Sequence, residues 1–236
     1  MVQMITDEPF EKPRALRIRF CKVGALSYIS HLDLMRTMTR VMKRAHLPIR
    51  YTGGYNPKPH LVFSAPLPVG AESPREFVDI EVLCPVDTEE VMRRLNDGLP
   101  AELAVDAVYY PETKFSDIAA AEYRLVIFAN NASPALAEAL SSRLSDRPLT
   151  VRKRTKSGEK DIDVSAAILS VQGEYDANAN AVLLTVRLAA DSGSFLNPDY
   201  LIGYLRDKEG VLLPESGDSY AVVREHLYLA NGEDFA

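Results

Sequence analysis

Residues 15–23, ALRIRFCKV, alternate apolar and polar with a period of two. A strand of this pattern turns Leu16, Ile18 and Phe20 to one side and Arg17 and Arg19 to the other. The spacing then changes: Leu34, Met35, Met38, Val41, Met42 and Ala45 recur at helical intervals. That predicts a helix over about residues 31–46, with Ser30 as N-cap, Asp33 three residues later, and Leu47-Pro48 as the stop. Arg36, Arg40, Lys43 and Arg44 fall on another face of it. Residues 60–65 and 76–83 read as further strands, the second (EFVDIEVL) with clear alternation. Asp87 caps a helix, TEEVMRRLNDGL, that Gly98 and Pro100 end, and residues 102–110 read as a fourth strand. The order is βαββαβ, the ferredoxin-like unit.

The second half reads similarly. A strand is expected over 122–128, and Ser133-Pro134 opens a helix to about 144 in an N-cap and N1 arrangement. A strand over 149–154 leads into the turn Lys156-Ser157-Gly158. Residues 167–174 and 181–189 form a hairpin, Asn197-Pro198 opens a helix to about 208, and 220–229 closes as a strand. The expected fold is therefore α+β, tandem ferredoxin-like domains with antiparallel sheets and helices on one face. The expected domains are 1–113, with the basic helix and the YTGGYNPKPH loop, and 114–236, with a basic hairpin over 147–160; they join near 111–117.

Composition narrows the class. At 236 residues, 47% hydrophobic and 25% charged, the chain has the makeup of a soluble globular protein. No run approaches the roughly 20 apolar residues of a membrane span. MVQMITDEPFEKPR has no apolar signal core, so a cytoplasmic location is expected. Cys21 and Cys84 stand far apart and outside any CxxC cluster. They read as buried thiols, and neither a structural zinc, an iron-sulfur cluster nor another cofactor is expected.

The net charge is −6, which taken alone argues against nucleic acid, but it is unevenly distributed. From Lys12 to Lys58 there are eleven Lys or Arg and one acid, Asp33; from Arg147 to Lys160 there are six and one acid, Glu159. A locally basic face attracts phosphate whatever the sum. Asp161 and Asp163 are expected to pair with the second basic run rather than to hold metal.

The segment YTGGYNPKPHLVFSAPLPVGAES, residues 51–73, carries a Gly-Gly turn, four prolines, three aromatics, a lysine and a histidine. The glycines permit unusual backbone angles, and Pro57 and Pro59 hold the segment extended. It predicts a stiff loop that displays Tyr55, Asn56, Lys58 and His60, the kind of element on which binding concentrates. Tyr28, His31, Tyr51, Tyr55 and His60 are candidates for base stacking or proton transfer. No Ser-His-Asp spacing, phosphate-binding glycine motif or metal-ligand cluster marks an enzyme.

The segments RIRFCKVGALSYISHLDLMRTMTRVMKRAHLPIRYTGGYNPKPHLVFSAPLPVGAESPREFVDIEV and RKRTKSGEKDIDV resemble the radical SAM-linked protein family. This is a bacterial domain of unknown function that occurs beside, or fused to the C-terminus of, a cobalamin-binding-type radical SAM protein. Its genes often neighbour those for ribosomal proteins and a ribonuclease. The resemblance implies a radical SAM partner and transfers no catalytic residue. A looser likeness, to the RNA-processing proteins of CRISPR systems with two ferredoxin-like domains, rests on element order and on "GFNP…PLP-G-ES" wording. This chain lacks their C-terminal glycine-rich loop: after Ser216 it has only Gly217 and Gly232.

The expected function is RNA binding as an accessory module that presents tRNA or rRNA for modification by a radical SAM partner. The alternatives are a metal-independent ribonuclease or RNA-modifying enzyme using His31 or His60 with Tyr28, and a protein-protein adaptor for the radical SAM protein. The candidate RNA-binding residues are Arg17, Arg19, Arg36, Arg40, Lys43, Arg44, Tyr51, Tyr55, Asn56, Lys58 and His60, with Arg152, Lys153, Arg154 and Lys156 in the second basic run.

Overall fold

The computed structural model describes residues 9–155, 158–191, 193–213 and 215–236. The elements follow in the order β1 (Arg14–Lys22), α1 (His31–Arg44), β2 (Leu61–Phe63), β3 (Ala71–Val82), α2 (Thr88–Asn96) and β4 (Val105–Tyr109). Then come β5 (Ile118–Phe128), α3 (Pro134–Ser145), β6 (Thr150–Thr155), β7 (Gly158–Asp163), β8 (Ile168–Asp176), β9 (Ala181–Ala189), α4 (Asp199–Glu209) and β10 (Ser219–Leu229). Among the described residues no helix is long and apolar enough to cross a membrane.

The α+β class holds, and the tandem ferredoxin-like expectation is corrected. Eight of the ten strands among the described residues belong to one mixed sheet that includes parallel pairing, and β6 and β7 form a two-stranded sheet of their own. Period-two patterning identifies strands and their faces; it does not say which edges pair or in which sense. Several elements also differ in extent, β3 and β5 by four residues or more at their starts. The strand β7, GEKDID, has no apolar alternation; it extends the basic hairpin expected around Gly158 to Asp163. The strand β3 starts at Ala71, before Pro74, whose missing amide makes the segment read as loop.

The chain separates into two compact units, Met1–Phe115 with Ala236, and Ser116–Phe235. In the first, β1 pairs antiparallel with β3 and with β4, and β2 pairs antiparallel with β3. The register places Leu16 opposite Ile80 and Ile18 opposite Val78. These side chains are fully buried together with Leu34, Met38, Val41 and Met42 of α1 and Val91 and Leu95 of α2. Both helices are capped as the sequence reads. Ser30 accepts from the Asp33 amide at 3.1 Å, and Asp87 accepts from the Glu89 and Glu90 amides at 3.0 and 3.2 Å.

In the second unit β5 lies between β10 and β9, and β9 pairs with β8, all antiparallel. Tyr123, Leu125 and Ile127 of β5 are buried with Val182, Leu184 and Val186 of β9. Gly173 of β8 lets α3 approach closely: a Cβ there would stand 2.4 Å from the Ala137 carbonyl oxygen.

Candidate nucleic-acid interface

In the first unit, burying Leu34, Met38, Val41 and Met42 turns the basic residues of α1 to solvent. Arg36, Arg40, Lys43 and Arg44 are all exposed. Asp33 accepts the Ser30 hydroxyl at 2.7 Å and the Arg36 guanidinium at 3.1 Å. The Ser30 hydrogen bond, then Arg36, holds its carboxyl below the usual range. Arg36 thus has a carboxylate partner, and its side chain is 57% exposed, so the pair is weak. Arg40, Lys43 and Arg44 make no ion pair among the described residues.

The loop after α1 is pinned at its base. Tyr51 and Pro59 form an antiparallel bridge. The Thr52 amide donates to the Lys58 carbonyl at 2.8 Å, and the Lys58 amide donates to Thr52 Oγ1 at 3.1 Å. One step further out from the tip, the His60 amide donates to the Arg50 carbonyl at 3.1 Å, and the Arg50 side chain pairs with Glu81 of β3 at 2.7 Å. Beyond the Thr52–Lys58 pin only residues 53–57 remain, with Gly54 at φ 107°, an angle that favours glycine. Tyr55 at this tip is fully exposed, and Asn56 and Lys58 are exposed beside it. The ammonium of Lys43 sits 5.8 Å from the centre of the Tyr51 ring, which joins the C-terminal turn of α1 to the loop in one surface.

Other candidates are placed differently. Arg17 is corrected out of the set. It is fully buried, held by Asp79 at 2.8 and 2.9 Å, by Thr113, and by the Ala236 carbonyl at 3.2 Å, with the Phe115 ring 4.5 Å away. Alternation put Arg17 on the polar side of β1, and the register puts it opposite Asp79; the chain after β4 covers both. Asp79, inside EFVDIEV, was the sequence signal for a buried partner. Arg19 is already committed to both oxygens of Asp106, at 2.9 and 3.1 Å, and that hydrogen bond raises its pKa.

His60 is exposed, and His31 sets its ring edge-on to Phe63 at 5.0 Å. Neither imidazole has a hydrogen-bonding side chain among the described residues. Tyr28 lies against Gly70, where a Cβ would stand 3.4 Å from its Cε1. Among the described residues no group of three or more His, Cys, Asp or Glu is placed to hold a metal. Cys84 is buried, which raises its thiol pKa, and Cys21 is half-buried.

In the second unit the second basic run forms the β6–β7 ladder. Arg152 stands opposite Asp161, Lys153 opposite Lys160, and Arg154 opposite Glu159. Arg152 lies 3.6 Å from both Glu159 and Asp161, but all three side chains are exposed, so these pairs are weak. Lys153 and Lys160 are exposed and face each other across the strands, an arrangement that repels unless an anion relieves it. Lys156 lies outside the described residues. Asp163 accepts from Ser165 and from the Leu149 amide, which lowers its pKa and fixes the ladder's end. A cleft of about 720 Å3 opens between this ladder and α4, with Asp161, Asp199, Tyr200, Tyr204 and Asp207 in its wall.

A family model described as an uncharacterized protein conserved in bacteria (DUF2344) matches residues 15–198, more than half of the chain and the whole of the interface built by α1 and its loop. No curated protein matches the chain.

Proposed function

We propose, on the premise that the chain belongs to the DUF2344 family, that it is an RNA-binding accessory module. The surface of α1 and the 51–60 loop binds RNA through phosphate contacts from Arg40, Lys43, Arg44 and Lys58 and through stacking on Tyr55. Arg36 contributes once RNA phosphate competes with Asp33. Lys153 and Lys160 of the β6–β7 ladder give a second, independent cationic patch.

The observation that carries this reading is Tyr55. A fully exposed aromatic costs solvation and contributes nothing to a core. Here it sits on a tip that two glycines and two hydrogen bonds shape and hold, on a loop that carries Lys58 and meets Lys43 through Tyr51; neither lysine has an ion-pair partner among the described residues. Stacking on an aromatic is worth about 1–3 kcal/mol per base, and cations beside it supply affinity without sequence preference.

The resemblance to the radical SAM-linked family supplies the rest of the reading. The module acts in the cytoplasm, presents tRNA or rRNA, and leaves chemistry to a radical SAM enzyme that carries its own cluster. Purified protein incubated with total cellular RNA, followed by sequencing of what is retained, tests it. Enrichment of a defined tRNA or rRNA, lost in the variant Arg40→Glu, Lys43→Glu, Arg44→Glu, is expected. Retention of RNA by that variant at wild-type level removes the interface. Loss of a radical SAM complex with no RNA bound by either protein replaces the reading with an adaptor role.

A further inference from the structure

Resting on the RNA-binding reading, we infer that the feature recognised by the 51–60 loop is an unpaired base, in a loop, bulge or strand end, and that duplex RNA is a poor ligand. The Tyr55 ring is exposed on all sides at the tip of residues 53–57, and stacking needs a free face on the base. Inside a duplex both faces of each base are already covered by neighbours, whereas unpaired bases are available to aromatic side chains.

The footprint is small. Arg40 and Arg44 are four residues apart, about 6 Å along the helix axis. A nucleic-acid strand advances roughly 3.4 Å per nucleotide, so these cations meet phosphates about two nucleotides apart. A module that reads duplex RNA by shape spans about 16 base pairs across two minor grooves. The surface built by α1 and the loop is far smaller than that.

The tip is also held in place. The pins from Thr52 to Lys58, the Tyr51–Pro59 bridge and the contact of Lys43 with Tyr51 hold the tip relative to the cations. A preformed tip loses little conformational entropy on binding. The Asn56 amide, exposed next to Tyr55, has both donor and acceptor for the edge of a stacked base.

The experiment compares three random-sequence probes: a single strand, a blunt duplex, and that duplex carrying one bulged nucleotide. Each is titrated with the full chain and with Tyr55→Ala, Tyr55→Phe and the triple reversal at Arg40, Lys43 and Arg44. The wild type binds the strand and the bulged duplex more tightly than the blunt duplex. Tyr55→Ala weakens binding to those two probes by about 5- to 150-fold, the fold-change that stacking implies, and leaves the blunt duplex unchanged. Tyr55→Phe keeps the preference, because it keeps the ring. The triple reversal weakens all three probes. Equal wild-type binding to blunt and bulged duplex, or a preference that survives Tyr55→Ala, overturns the unpaired-base inference while leaving RNA binding in place. Absence of salt-sensitive binding to every probe overturns both.

Discussion

Two side chains with the same sequence credentials have opposite fates. Arg17 and Arg40 both stand at polar positions of amphipathic elements. Arg17 is sealed against Asp79, and Arg40 is exposed without an ion pair among the described residues. Because the Arg17–Asp79 pair is buried, removing the guanidinium leaves a carboxylate without its counter-charge. Arg17→Ala is expected to cost about 3–5 kcal/mol in urea unfolding while leaving the RNA affinity of folded protein unchanged. A large loss of affinity with stability intact would put Arg17 back at the interface.

Glu90 gives a pH prediction. Its carboxylate accepts Arg93 at 2.8 Å and Arg94 at 2.7 Å, and these hydrogen bonds hold its pKa at about 2, below the ordinary 4.5. A depressed carboxylate pKa contributes stability that is present above the unfolded value and lost as pH falls through the folded one. The stability gap between wild type and Glu90→Gln, read as the shift in urea midpoint, is expected to stay constant near neutrality. It closes as pH falls from about 4.5 to about 2. A gap that persists at the acid end contradicts the assignment.

At the scale of elements, the sequence shows which segments are helix and strand wherever local chemistry decides. Ser30, Asp87 and Ser133 each accept from a first-turn amide as their positions suggest. The loop's exposure and stiffness were legible in its glycines and prolines. The cross-pins were not, because the Thr52–Lys58 hydrogen bonds depend on a turn geometry that no periodicity encodes. The basic hairpin around Gly158 is legible from its turn, and the β6–β7 ladder has that form; the full extent of β7 is not, because a charged strand paired outside the main sheet has no apolar face to announce it. Gly173 belongs to this scale too, since it read as an ordinary position in a hairpin strand and proves to be the floor on which α3 sits. Gly173→Ala is expected to destabilise by about 1–3 kcal/mol, because the contact at 2.4 Å is with backbone that must move. A variant that melts with wild-type Tm would show that α3 packs less closely than its carbonyl position implies.

At the scale of the whole molecule, pairing between strands distant in the chain is what the sequence conceals. The α+β class follows from counting elements; the mixed eight-stranded sheet does not, because nothing in a strand's own alternation names its neighbours. The same holds for charge. A sum of −6 says little about binding when eleven of the 27 cations fall between Lys12 and Lys58, and the fold decides which of them reach solvent unpaired. In the first unit that sorting removes Arg17 and Arg19 and leaves Arg40, Lys43 and Arg44 exposed on α1 and Lys58 exposed on the loop that carries Tyr55.

The measurement that bears most directly on this account is the salt dependence of binding to single-stranded RNA, wild type against the Arg40, Lys43 and Arg44 reversal. Four phosphate contacts from those three residues and Lys58 predict that log K falls with log salt at a slope of roughly −3, and that the reversal abolishes most of both affinity and slope. Binding that is indifferent to salt, or a slope that the reversal leaves untouched, would contradict the assignment of this surface to RNA.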